Sequence, residues 1–204
     1  MTANHRSSRR LAFAIPVIAG ALLIARQTLV NAADSAGGTD VGRRYTTSVQ
    51  ITHVTESYPC DYEKFTRNLM SLLGRYNSAD AELGSTDVKT ALARIRASEG
   101  EQGLMYFGSN DHGALFPLVG KPLRKAVRYY LGNPLIAIKM TQKNLGAALY
   151  APLTMLVYEP APGVVKVEYD LPSSSFGQFH DPDIDQVGAS LDGKLHALIV
   201  KAAS

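Results

Sequence analysis

The sequence predicts an α+β fold, a largely antiparallel sheet in two layers with helices packed on one face. Three observations carry this. Two strand-like segments, residues 152–159 and 164–170, are joined only by Pro160-Ala161-Pro162-Gly163, which makes them a hairpin. Apolar side chains recur at helical spacing after Asp61 and again after Asp181, so each of those helices has one face to bury. The elements run β-α-α-β-β-α-β-β-α, and a hairpin set between helices excludes a purely parallel sheet.

In chain order, residues 45–54 alternate, with Tyr45, Thr47, Val49, Ile51 and His53 on one side and Thr46, Ser48, Gln50 and Thr52 on the other. That is a half-exposed strand. Asp61 then caps a helix whose stripe is Tyr62, Phe65, Leu69, Leu72, Leu73 and Tyr76. Past a polar loop with Gly84, Thr86 or Asp87 opens a second helix, with Val88, Leu92 and Ile95 inward and Gly100 as its stop. Residues 103–108, GLMYFG, form a buried strand, and residues 109–113, SNDHG, a turn.

A strand at 126–131 ends at Gly132-Asn133-Pro134, and proline suits the first turn of a helix. Leu135, Ile138, Leu145 and Leu149 line the inner face of that helix, with a break near Gly146. In the hairpin, Leu153, Met155, Leu156 and Val157 mark a central strand. Val165, Val167 and Tyr169 face the core, while Lys166, Glu168 and Asp170 face away. Asp181-Pro182 starts a long helix with Ile184, Val187, Leu191, Leu195, Leu198 and Ile199 on one face, ending near Lys201.

Ahead of the domain stands a leader. Arg6, Arg9 and Arg10 come without an acid, then residues 11–25 run apolar, then Asn31-Ala32-Ala33 offers small residues. These are the three parts of a secretory signal, with cleavage near Ala32. Ser8-Arg9-Arg10-Leu11 begins like a twin-arginine signal, but Ala12 stands where that pattern wants Phe, so the general secretory route is favoured. An uncleaved anchor is the alternative. The apolar run is shorter than the roughly 20 residues that span a bilayer, and Pro16 and Gly20 interrupt it. Residues 1–33 are thus read as a signal peptide, 34–44 as a flexible tether and 45–204 as one α+β domain. The protein is expected to be periplasmic or secreted, with no membrane contact beyond the leader.

The leader also holds four of the 21 basic residues and none of the 18 acidic ones, which leaves 17 against 18 in the rest of the chain, a net charge of −1. A nearly neutral domain without a basic stripe is no nucleic-acid binder. Cys60 is the one cysteine, so no internal disulfide framework exists.

Tyr129-Tyr130-Leu131-Gly132-Asn133-Pro134, then Met140, then Ala151-Pro152-Leu153 entering an apolar strand, is a pattern that resembles the bacterial family called domain of unknown function 302. Asp111-His112-Gly113 looks like that family's D-H after its second strand. Tyr169-Asp170-Leu171-Pro172-Ser173-Ser174 is similar to a subgroup with a longer C-terminal helix. The resemblance runs from Tyr45 to about Lys201, departing by a helix inserted at residues 86–99. It implies a two-layer α+β fold, allows a homodimer and assigns no activity.

The candidate ligand-binding residues are Asp111, His112, Asn133, Met140, Tyr169 and Asp170. A carboxylate beside an imidazole can orient it as base or ligand, although a D-H-G turn is also plain loop chemistry. Gly132-Asn133-Pro134 could present backbone N–H groups to an anion, but Asn133 is equally an N-cap, which is the favoured reading. Tyr169-Asp170 ends a strand beside Ser173, Ser174 and Ser175, and reads equally as core plus turn. His53, His112, His180 and His196, with Met105, Met140 and Met155, show no close ligand spacing and there is no haem motif, so no metal or cofactor is expected. Cys60 precedes a helix start but belongs to no catalytic motif. The first expectation is a binding module holding an unknown small molecule near Asp111-His112 and Asn133. An enzyme with His112 as general base and a structural or protein-interaction domain are the alternatives.

Overall fold

Residues 42–81 and 87–204 are described by a computed structural model. The expected signal peptide, nearly all of the tether, and the loop at Gly84 with Thr86 lie outside the described residues. The strands are β1 His53–Tyr58, β2 Gly74–Arg75, β3 Met105–Asp111, β4 Ala126–Gly132, β5 Leu153–Ala161 and β6 Val164–Asp170. The helices are α1 Tyr62–Leu72, α2 Val88–Ala97, α3 Pro134–Thr141, α4 Pro172–Phe176 and α5 Pro182–Ala203. The strands form one sheet in the order β1-β6-β5-β4-β3-β2, antiparallel throughout except for β2 beside β3. The fold is α+β, as the hairpin and the helical stripes predict.

That hairpin is β5–β6. Ala161 pairs with Val164 across Pro162-Gly163, and Gly163 takes a φ of 78°. Proline second and a left-handed glycine third is the type II turn pattern. Val165, Val167 and Tyr169 are buried, with Met155 and Val157 beside them on β5 and Tyr129 and Leu131 on β4. Against this face α5 lays Ile184, Leu191, Leu195, Leu198 and Ile199, and α1 adds Phe65 and Leu69. Asp61, Asp87 and Asp181 cap α1, α2 and α5 by accepting backbone N–H bonds, which satisfies donors that a helix start otherwise leaves open. Among the described residues no helix is long and apolar enough to cross a membrane.

On α2, Val88 is 61% exposed where the sequence reading has it inward, and Ala91 is buried with Ile95 instead. Four further elements differ from the sequence reading. The first strand is residues 53–58, not 45–54, because β6 gives it partners only from Asp170 back to Val165. Before His53 the ladder ends with the Leu171 N–H donating to the Thr52 carbonyl, 2.8 Å, and Ile51 and Tyr45 are exposed. α1 stops at Leu72, so Tyr76 falls outside its stripe. α3 stops at Thr141, and a separate 3-10 turn follows at Leu145–Tyr150, capped by Asn144. Within α3 the buried member is Met140, so Ile138 faces out and is 54% exposed, and past the break Leu145 and Leu149 are each 81% exposed. Finally, β3 continues to Asp111, and a 3-10 segment Gly113–Val119 presents Leu118 and Val119 to solvent.

Candidate functional site

The six candidate residues do not surround one pocket. Asp111 pairs with Val127 near the start of β4, whereas Asn133 follows the end of that strand. At roughly 3.3 Å per residue the two lie about 20 Å apart. Asp170 is level with Tyr130, because Met155 pairs with Tyr169 and Thr154 with Tyr130. It is three strands from β3, which with about 4.8 Å between strands leaves roughly 17 Å to Asp111. All three motifs are polar breaks at strand ends, but antiparallel β3 and β4 finish at opposite ends of the sheet, and Asp170, at the same end as Asn133, is two strands away from it. His112 is exposed, and Asp111 accepts from the Ala114 N–H at 2.9 Å. The aspartate caps its own turn.

Tyr169 and Asp170 also part company, since neighbours on a strand point to opposite faces. Asp170 lies 2.9 Å from His53 Nδ1 on the exposed face. Tyr169 is buried and donates to Glu56 Oε1 at 2.6 Å. Glu56 also accepts from the Tyr58 hydroxyl and meets His196 Nδ1 at 3.2 Å, so it joins β1, β6 and α5. Partial burial works against its charge, but the Tyr169, Tyr58 and His196 hydrogen bonds outweigh that and hold the carboxyl below its ordinary value of 4.5. A depressed folded value means stability that is present above the unfolded pKa and lost as pH falls through the folded one. Glu56→Gln is therefore expected to be less stable than the wild type at neutral pH. The gap should close below about pH 4, a convergence that urea melts across pH can check.

Cys60 is a partly buried free thiol, and burial pushes its pKa up despite the nearby Lys64 ammonium. That is the wrong direction for a nucleophile. Among the described residues no three His, Cys, Asp or Glu side chains gather as a metal site would require.

Asn133 is the buried polar residue of the group, 5% exposed. Its Oδ1 accepts from the Leu135 N–H at 2.7 Å, while Nδ2 donates to Glu99 Oε1 and to the Gly103 carbonyl, each at 2.8 Å. The Ile136 and Ala137 N–H groups both bond to the Asn133 carbonyl, at 3.1 and 2.9 Å, and Pro134 has no N–H. The start of α3 thus has no free donor for an anion. The cap reading holds.

Asn133 and Met140 do adjoin one cavity. At the end of β4 lies a slot of about 160 Å³ walled by Phe107, Pro152, Ile136, Met140, Phe176 and Leu191. Tyr76 extends the wall by stacking on Phe107, with ring centroids 4.3 Å apart. The lining is almost wholly apolar. A dry cavity of roughly 150 Å³ accepts a benzene-sized group, so this slot has room for a phenyl ring or a short alkyl chain.

Adjoining the slot, with Asn133, Ile136 and Leu191 lining both, lies a wider cleft of about 670 Å³ between the end of α2, α3 and α5. Arg96, Lys139 and Lys194 line it together with Glu99. None of the three cations has a carboxylate within salt-bridge distance among the described residues. Lys194 donates to the Gln102 carbonyl at 2.9 Å.

Of the slot's walls, sequence reasoning had singled out Asn133 and Met140. Phe107, Pro152 and Phe176 come from β3, from the entry to β5 and from α4, and no local pattern joins segments so distant in the chain. The one available hint was Gly132-Asn133-Pro134, where strand, cap and helix meet.

Comparison with known proteins agrees with this architecture. The crystal structure of an uncharacterized conserved DUF302 protein from Bacillus stearothermophilus is similar to this chain with a TM-score of 0.52 and 16% identity, over 74% of this chain and 97% of that one. At that identity the likeness concerns the fold. No curated protein matches the chain. The model of the family described as domain of unknown function DUF302 matches residues 81–202, more than half of the sequence and all of the slot except Tyr76. The chain belongs to the DUF302 family.

Proposed function

We propose that this protein is an exported small-ligand-binding module whose slot beside Asn133 takes the apolar part of its ligand. The observation that carries this reading is the slot itself, a recess with apolar walls set where β4, α3, α4 and α5 meet. Ligand sites favour such recesses because surrounding elements hold the walls in place. His112 as a general base has no comparable support. It is exposed, and the neighbouring carboxylate is committed to its own turn.

The test uses 3-phenylpropanol, a neutral probe whose ring matches the slot. Calorimetry and thermal melts should show saturable binding, with about 1.4 kcal/mol of added stability at ten times the dissociation constant. Ala137→Phe, which fills the slot from α3, should abolish it. No binding at millimolar probe, or binding untouched by this substitution, would reject the slot. Export is tested separately. The mature protein is expected to begin at Ala33 or Asp34, and N-terminal sequencing that finds Arg9 and Arg10 retained would favour an anchor.

A further inference from the structure

We infer that the basic cleft is the second half of the same site, so that the ligand is a small amphiphilic acid. Its apolar body would lie in the slot and its carboxylate or phosphate against Arg96, Lys139 and Lys194. This rests on the slot reading and adds the chemical class of the ligand.

Three observations lead to it. First, the two recesses adjoin, with Asn133, Ile136 and Leu191 lining both. Second, the cleft gathers three cations from three elements, Arg96 of α2, Lys139 of α3 and Lys194 of α5, and none is neutralised by a carboxylate among the described residues. Third, the one acid in the cleft, Glu99, accepts the Asn133 amide. Three positive charges against one leave a net attraction for an anion. Arg96 supplies a planar fork suited to a carboxylate or phosphate, and the two ammonium groups supply point charges that follow the ligand.

The backbone narrows the assignment. Every N–H at the start of α3 is already bonded or absent, so an anion here must be held by side chains. Recognition by exposed side chains is modest and screened by salt, unlike a backbone cradle. A ligand bound this way needs its apolar body for most of its affinity, which is what the adjoining slot offers.

The experiment compares 3-phenylpropanoate with 3-phenylpropanol on the full mature protein, by calorimetry at low and high salt. The acid is expected to bind about tenfold more tightly at low salt, the sum of several weak ion pairs, and to lose that advantage at high salt. Arg96→Gln and Lys139→Gln should each bring the acid toward the alcohol, while leaving alcohol binding unchanged because neither residue walls the slot. Thermal melts of both variants confirm that they fold. Equal affinity of acid and alcohol in the wild type, or an acid preference that survives both substitutions together, overturns the anion half and leaves the slot standing. If neither probe binds, the slot reading falls and this inference falls with it.

Discussion

Leu198→Ala is expected to lower the free energy of unfolding by about 2–5 kcal/mol, the range for truncating a buried leucine when its surroundings collapse only partly. Leu198 is wholly buried in α5, in the stripe that also holds Leu191, Leu195 and Ile199. That stripe meets the apolar face of the sheet and the Phe65 and Leu69 side of α1. For a domain of this size a loss of that order moves the melting temperature by roughly 5–15 °C. Val200→Ala provides the contrast on the same helix. Val200 is half out in solvent, and its truncation should stay within about 0.5 kcal/mol. A melt unmoved by Leu198→Ala would mean that α5 does not carry the core.

The parts of the fold that were legible in the sequence are those whose signal is local. α5 was, because an aspartate cap and a long apolar stripe lie in one contiguous stretch. The β5–β6 hairpin was, because its turn chemistry sits between two alternating runs. Alternation alone does not set where β1 starts. The reach of its partner β6 does, and that is a tertiary fact. Spacing alone misplaces the inner face of α3, because the apolar residues Leu145 and Leu149 continue it, while Asn144 turns the chain into a 3-10 segment that exposes them.

The site was less legible than the fold, for the same physical reason. A strand end looks alike in sequence whichever end of the sheet it reaches, so Asp111, Asn133 and Asp170 could be imagined together although the antiparallel order sends Asp111 to the opposite end and the strand order sets Asp170 two strands from Asn133. What gathers at Asn133 instead are aromatic and apolar residues from β3, α3, α4 and α5, each of which reads in isolation as ordinary core. Met140 shows the ambiguity well. It is almost completely buried and so counts as core, yet it also walls the slot.

Asn133 is where the local and the tertiary signals coincide, and Asn133→Ala is expected to cost about 3 kcal/mol. Roughly 1 of these is the N-cap on Leu135, and the rest follows from losing the two Nδ2 bonds, one to the half-buried Gly103 carbonyl and one to the Glu99 carboxylate, which is exposed and can turn to water. Asn133→Asp separates the two contributions. An aspartate keeps the cap, since its oxygen can still accept from the Leu135 N–H, but it replaces the amide donor with an acceptor facing Glu99 and the Gly103 carbonyl. The new carboxylate would sit against another carboxylate, which disfavours its charged form and raises its folded pKa above the unfolded value. A raised folded value means stability that is gained as pH falls. The Asn133→Asp variant should therefore be clearly weaker than the wild type at pH 7 and recover part of the loss near pH 4, opposite in sign to the Glu56 contribution. If it instead matched the wild type at neutral pH and showed no recovery in acid, the Nδ2 bonds to Glu99 and Gly103 would carry nothing, and the N-cap alone would account for this residue.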